Sequence, residues 1–392
     1  MDVPSSERLK KLPPYLFADL RRKRDSALAR GVKVIRIDIG DPDSPTPDPV
    51  VQEMIRAVQD PNDPMRHRYG CDVPVADLPR AMRAFYSRRY GVELADNQVV
   101  MTMGSKDAIA KFPMGILNPG DVAIAPYPGY PTYNIGHVFA GAVTCPVPLL
   151  PANGYLVDFD AIPHEIRRLA KILWLNYPNN PTTAVADLDF FRRAVEFGRQ
   201  NNILICHDAA YLENTYDGYR APSILQVEGA DEVAVEFFSL SKAFNMTGWR
   251  VGCLAGNASA VSALRTVKEN VDNGTLRPIQ FAAAKALDLA DELLPPINAV
   301  YKRRRDLVIN ALNSNGWSLD APKGTIYVWA PVPGRYNGSS AGFAGDLLEK
   351  TGVMVTPGLG YGQWGEGYFR ISLTYGDDVL KEAMSRIVGM KY

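Results

Sequence analysis

This chain of 392 residues has little with which to build a disulfide or a metal centre. Its four cysteines, Cys71, Cys145, Cys206 and Cys253, are far apart and form no CxxC pair, and His67, His137, His164 and His207 show no HExxH spacing. Long apolar runs are missing as well: none approaches the ~18 residues that a membrane span requires. The stretch Met1 to Arg8 has no apolar core of the kind a secretory leader carries. Neither sign of charge is in excess, with 43 basic residues against 43 acidic ones, and no basic stripe interleaved with aromatics draws the chain to nucleic acid or an anionic membrane. No internal repeat or low-complexity segment breaks the sequence. A cytoplasmic protein handling small molecules, without metal or disulfide, is the expectation.

What is present is an ordinary globular composition, 46% hydrophobic and ample for a sizeable core. Strand-like runs alternate with amphipathic helices over most of the length, the pattern of a mainly parallel α/β sheet. Asp48-Pro49 reads as an N-cap followed by proline at N1, opening a helix whose Val50, Val51, Met54, Ile55 and Val58 share a face. A second helix is expected after Asp187, with Phe191, Ala194, Val195 and Gly198 inward. After about residue 286 the character shifts to a long charged helix containing Lys302-Arg-Arg-Arg-Asp306, then strands at Ile326 to Ala330, Val353 to Thr356 and Phe369 to Leu373. This predicts a smaller α+β domain over 287–392 beside a large domain over 41–286.

Four short segments carry the chemistry. Asn176-Tyr-Pro-Asn-Asn-Pro181, His207-Asp-Ala-Ala-Tyr211 and Ser239-Leu-Ser-Lys242 each follow an apolar run, and Trp249-Arg250 lies a few residues beyond the lysine. The carboxyl ends of parallel strands are where open α/β sheets build ligand sites, so these residues are expected to converge. A lysine that forms a Schiff base must shed its proton near neutral pH, which burial beside cations such as Arg250 promotes, and Lys242 fits. A pyridine ring withdraws electrons strongly only while its nitrogen is protonated, which needs a carboxylate against it; Asp208 is the candidate. Tyr211 and the Asn180 amide can bond a phenolic oxygen, while Ser239, Ser241 and the Arg250 fork suit a phosphate dianion. The four together point to pyridoxal 5'-phosphate, although each alone is compatible with a plain turn. Gly104-Ser-Lys106, after the run Val99 to Met103, reads by itself more readily as a turn than as a helix N-terminus offering N–H groups to phosphate.

Taken with Asp38-Ile-Gly-Asp-Pro42, Pro126-Tyr-Pro-Gly-Tyr-Pro131 and Asn245-Met-Thr-Gly-Trp-Arg250, these motifs resemble the class I/II aminotransferases of fold type I, most closely the LL-diaminopimelate aminotransferases. The resemblance covers nearly the whole chain. It implies the fold type I architecture, a large domain with a mainly parallel sheet plus a smaller α+β domain, and an N-terminal arm (1–40) that packs with the small domain. It also implies Ser105 and Lys106 at the cofactor phosphate, with the lysine near substrate, Tyr130 stacked on the cofactor ring, and Arg370 clamping the substrate α-carboxylate. Period-two alternation sets Arg370 opposite Phe369, Ile371 and Leu373, so it need not enter the core. The same resemblance implies a homodimer with shared active sites: Tyr69 reaching the partner's cofactor phosphate, and Tyr15, Gly40 and Asn273 at the substrate. Asp72 is placed facing a distal ammonium.

The reaction implied is a ping-pong transfer of an amino group between an amino acid, of the LL-diaminopimelate kind, and a 2-oxo acid such as 2-oxoglutarate, with Lys242 as general base. Close relatives usually read Asn-Pro-Thr-Gly, Ser-Lys-Thr-Phe and Gly-Ser-Lys-Glu-Gly where this chain has Thr183, Ala243 and Asp107-Ala108. Because cofactor motifs do not select a reaction, elimination, replacement, cyclisation or oxidation of an amino acid stands as the alternative. A non-catalytic ligand sensor is a third reading, opposed by the intact Lys242.

Overall fold

The computed structural model describes residues 1–12, 17–70 and 75–390; Tyr15, Cys71 and Asp72 therefore lie outside the described residues. Its centre is a seven-stranded sheet. Across it run Val99–Thr102, Gly252–Gly256, Ala234–Ser239, Leu204–Ala209, Ala170–Leu175, Val122–Tyr127 and Val143–Pro148. Only Gly252–Gly256 is antiparallel to its neighbours, so the other six point their carboxyl ends the same way.

Both faces are covered, which explains the near-continuous apolar runs. Ile172, Trp174, Cys206, Val235 and Phe237 face one apolar cluster, while Leu173, Leu175, Ile205, Ala234 and Phe238 face the other. Asp208 thus lies on the side of Trp174 and Cys206, and His207 on the opposite side.

The helix Leu188–Asn201 forms as expected: the Asp187 carboxylate accepts from Phe190 N–H at 2.8 Å, and Phe191, Ala194, Val195 and Gly198 are buried. The helix Asp48–Gln59 differs from the expectation in two ways. Asp48 is its first residue rather than a cap, preceded by Pro47 with no side-chain cap bond, and Ile55 is exposed while Ala57 takes the inward place. Of the expected C-terminal strands, Val353 to Thr356 divides in two. Val353–Met354 pairs parallel with Ile35–Arg36, whereas Thr356–Pro357 joins Tyr368–Ser372 and Tyr327–Pro331 in a three-stranded antiparallel sheet. This sheet, the long helix Ala290–Asn313 and Tyr211 share a separate apolar cluster with Val353, Leu373 and Ile387.

Candidate active site

The segments singled out in the sequence meet at the carboxyl ends of the central strands. Asp208, next to last in its strand and 3% exposed, receives the Tyr133 hydroxyl on Oδ2 at 2.8 Å and the Ala210 N–H on Oδ1 at 3.3 Å. Burial lifts its carboxyl to about 6, against the pull of the Tyr133 hydrogen bond and the neighbouring His207. Asn176 fixes the strand end, its Nδ2 donating to the Asp208 carbonyl at 2.7 Å while its Oδ1 accepts from Asn180 N–H at 2.8 Å. The Asn180 Oδ1 is taken by Arg370 Nη1 at 2.7 Å, leaving the Asn180 Nδ2 as the donor available to a ligand.

Lys242 directs its Nζ at the carbonyl of Gly40, 2.6 Å away. Burial lowers the ammonium to about 8; Asp41 opposes that shift, and Arg370 and Arg250 add to it. Gly40 is required there by close approach, since a Cβ would fall 1.9 Å from the Tyr327 hydroxyl. That hydroxyl also lies 3.0 Å from the Tyr211 hydroxyl, and the Arg370 guanidinium sits 3.9 Å over the Tyr327 ring and 5.1 Å from that of Tyr361. Arg370 itself is 4% exposed, more deeply set than the strand alternation required. Besides Asn180 it bonds the Asp38 carbonyl at 2.7 Å, while its Nε is buried without a partner among the described residues, a donor left for a ligand.

A cradle of donors that could hold a phosphate lies at Gly104, whose φ of +81° precedes the helix Ser105–Ile116. A Cβ there would come within 2.7 Å of Arg250 Nη2, and one on Gly252 within 3.2 Å of Ser105 N. Gly252 pairs with Ser239, whose Oγ accepts from Ser241 N–H at 3.3 Å, so both serines, the helix start and Arg250 adjoin one another. Donors, a buried carboxylate, a lysine with a lowered proton affinity and an orphaned guanidinium N–H match the chemistry of pyridoxal phosphate and a carboxylated substrate.

Other expected residues lie on the rim. Lys106 is exposed beside Ser105, and Tyr130 is half-buried with its ring 5.9 Å from that of Tyr133. Tyr69 is 64% exposed. Gln280 Nε2 bonds the carbonyls of Gly70 and Thr275 at 3.3 and 2.7 Å, gathering the Tyr69 and Asn273 segments, and Thr275 Oγ1 reaches the Arg250 carbonyl at 3.3 Å. On one chain these tyrosine and asparagine side chains form a surface beside the phosphate cradle rather than part of its wall. Tyr15 and Asp72 fall outside the described residues. Tyr133, Asn176, Tyr327 and Tyr361 were not assigned from the sequence. Tyr133 had a signal, three residues beyond Tyr130; Tyr327 comes from a distant strand and Tyr361 from the helical turn Gly358–Tyr361.

The chain matches the family described as Aminotransferase class I and II over residues 32–387. It is 49% identical over 387 residues to the LL-diaminopimelate aminotransferase of Gloeobacter violaceus, covering 98% of each chain. It is 48% identical over 386 residues to that of Moorella thermoacetica, with the same coverage. Among solved structures it is similar to substrate-bound BacF of Bacillus subtilis, at 35% identity and a TM-score of 0.92, covering 99% of this chain and 98% of that one.

Proposed function

From the premise that this chain belongs to the class I and II aminotransferases and is a pyridoxal-phosphate-dependent enzyme of fold type I, we propose an amino donor of the LL-diaminopimelate kind, with 2-oxoglutarate as acceptor. The observation that carries the reaction type is the convergence of Lys242, Asp208 and Arg370 on one pocket from three separated segments. The donor class rests on what the two named relatives are called. Those relatives are transaminases, so elimination, replacement or oxidation is not favoured.

Bound at this site, pyridoxal phosphate supplies an aldehyde that condenses with amines and a protonated ring that withdraws electrons. Lys242 is the residue that would condense with it. Burial lowers its ammonium to about 8, so Nζ as the free amine would be suited to take the proton from the substrate α-carbon as general base. Asp208 would hold the ring nitrogen protonated, its carboxylate oriented by Tyr133. Asn180 and Tyr211 would hold the phenolic oxygen, Tyr130 would cover the ring, and Ser105, Lys106, Ser239, Ser241 and Arg250 would take the phosphate. Arg370, held flat by Tyr327 and anchored on Asn180 and the Asp38 carbonyl, receives the α-carboxylate with its Nε and remaining N–H groups. Gly40 gives the substrate room.

The rim residues belong to a shared site. In a homodimer, Tyr69 of one protomer reaches the cofactor phosphate of the other, Asn273 and Tyr15 complete the partner's substrate pocket, and Asp72 faces the distal ammonium of the donor. The exposure of Tyr69 and Asn273 on a single chain agrees with that arrangement. A cytoplasmic location is part of this proposal. Among the described residues no helix is long and apolar enough to cross a membrane.

The test is a donor panel with 2-oxoglutarate as acceptor. LL-diaminopimelate should give the highest kcat/KM, well above lysine, aspartate and alanine, in a protein that sediments as a dimer. A flat panel, or preference for a monoamino acid, would overturn the donor assignment while leaving the transaminase.

A further inference from the structure

Behind the reacting face of the strand Leu204–Ala209 lies a titratable cluster that the chemistry above leaves unused. His207 and Glu236 are both fully buried and stand opposite each other in register on neighbouring strands. The His207 Nδ1 is 2.8 Å from Glu236 Oε2, and its Nε2 is 3.0 Å from the carbonyl oxygen of Tyr177. A carbonyl only accepts, and Glu236 is surrounded as an acceptor. Its Oε1 takes the Tyr86 hydroxyl at 2.8 Å, the Ser223 hydroxyl lies 2.9 and 3.0 Å from its two oxygens, and Ile224 N–H donates to Oε2 at 3.1 Å. Those donors favour the carboxylate over the acid. A neutral imidazole facing a carboxylate and a carbonyl would leave one ring-nitrogen lone pair against an oxygen; an imidazolium satisfies both.

We propose that His207 is a resident buried imidazolium paired with Glu236, and a positioning residue for transamination. It favours Asp208 as a carboxylate from the far side of the strand and pins the turn that carries Asn176 and Asn180. The tether runs through the Tyr177 carbonyl, one residue after Asn176, which bonds the Asp208 carbonyl, and three before Asn180, which bonds Arg370. One buried cation therefore reaches both ends of the substrate site through its own strand and one turn.

The groups facing this pair argue for the same charge state. Tyr86 and Tyr90 from the helix Asp77–Tyr90 and Cys253 from the adjoining strand are all held protonated by burial, so Glu236 is the anion beside His207, with Asp208 the other carboxylate on its own strand. The Phe191 ring, 4.7 Å from the imidazole, closes the remaining side.

His137 provides an internal contrast. It is equally buried, but its Nε2 accepts from the Trp174 indole N–H at 2.9 Å, and its Nδ1 meets Thr144 Oγ1 at 2.8 Å, which itself donates to Asn134. That arrangement needs a neutral ring with its proton on Nδ1, and burial lowers its affinity to about 3. The chain thus buries two histidines in opposite charge states on opposite faces of one sheet.

The role given to His207 rests on Asp208 lying at the ring nitrogen, whereas its charge state does not, so the two can fail separately. The chain's four histidines, labelled with nitrogen-15 in the holoenzyme, would be followed through neutral pH by long-range proton–nitrogen correlation, with His207→Gln assigning the signal. The expected result is both His207 nitrogens protonated throughout, with His137 a fixed Nδ1–H tautomer. A single neutral tautomer at His207 would overturn the charge assignment. Glu236→Gln should convert the His207 signal to a neutral tautomer, and persistence of the doubly protonated form there would overturn the pairing. For the positioning role, retention of pyridoxal phosphate is measured against pH: His207→Gln should raise the acid-side midpoint by about half to one unit with less than ~3-fold loss of affinity at alkaline pH. A loss uniform across pH would overturn it.

Discussion

The wall of the site built on the central sheet and the rim that surrounds it are held by different physics. On the wall, Asp208, Ser239, Ser241, Asn180 and Arg370 are all under a tenth exposed, and several spend their hydrogen bonds on one another. On the rim, Lys106, Asn273 and Tyr69 are exposed, and the segments carrying the last two are anchored through the backbone bonds that Gln280 makes. A buried polar group costs free energy unless satisfied, so the wall is over-determined and its chemistry set before any ligand arrives. The rim carries no such cost, which is what the proposed shared site needs of it. The proposed condensing and proton-transfer groups therefore sit in the wall, and the proposed contacts that depend on a second protomer sit on the rim.

Substitutions can break that contrast, beginning with the largest effect. Lys242→Ala should lower kcat by about 10³-fold or more, because it removes both the condensing amine and the general base, with absorbance of bound cofactor still present in the purified protein. Retained single-turnover chemistry would contradict its role. Asp208→Asn should cost about 10²-fold or more in kcat yet stabilise the apoprotein. Its carboxyl is raised to about 6 from an ordinary 3.8, so the folded chain binds more protons than the unfolded one between those values. The sign follows: its contribution makes apoprotein stability fall as pH rises through that window and stay low above it, by an amount on the order of 3 kcal/mol that Asn would relieve. Denaturant unfolding of both apoproteins at pH 5 and pH 8 reads this directly, with a larger gap expected at pH 8.

Arg370→Lys should lower kcat/KM by about 10²-fold, mostly through KM, since an ammonium cannot replace a planar fork stacked on Tyr327 and bonded to Asn180 and Asp38. Tyr69→Phe, on the rim, should weaken cofactor retention by about tenfold, the worth of a single hydrogen bond to a charged group, and only where the protein is dimeric; an equal effect in a monomeric preparation would remove the shared-site reading. The smallest change concerns Thr183, a β-branched residue at φ +64°, its N–H held by the Asn179 carbonyl at 2.9 Å. Thr183→Gly should raise stability by about 0.5 to 1 kcal/mol, the left-handed strain relieved less the chain entropy of glycine, as seen in the denaturant midpoint.

Most of the wall could be read in the sequence because apolar runs buried on both faces end abruptly in polar residues, which is what a parallel sheet imposes at a ligand-binding edge. The linkage of Tyr133 to Asp208 could not, since it joins residues 75 apart in sequence through packing of a helix against the sheet. Tyr327 stayed hidden for the same reason: it is one apolar-looking residue of a strand whose importance comes from meeting Gly40, Tyr211 and Arg370 in space. Local errors have local causes. Val353 to Thr356 looks like one strand by composition, but its two ends pair with different partners, and Ile55 completes a helical stripe that the neighbouring surface does not cover. The rim was approachable only through family resemblance, because exposed side chains leave little periodic trace.

The most direct test is a half-reaction followed by absorbance: holoenzyme mixed with LL-diaminopimelate in the absence of any 2-oxo acid, then given 2-oxoglutarate. The account predicts complete conversion of the resting cofactor spectrum to that of its amino form, reversed by the oxo acid. No spectral change, or a change that 2-oxoglutarate does not reverse, would contradict it.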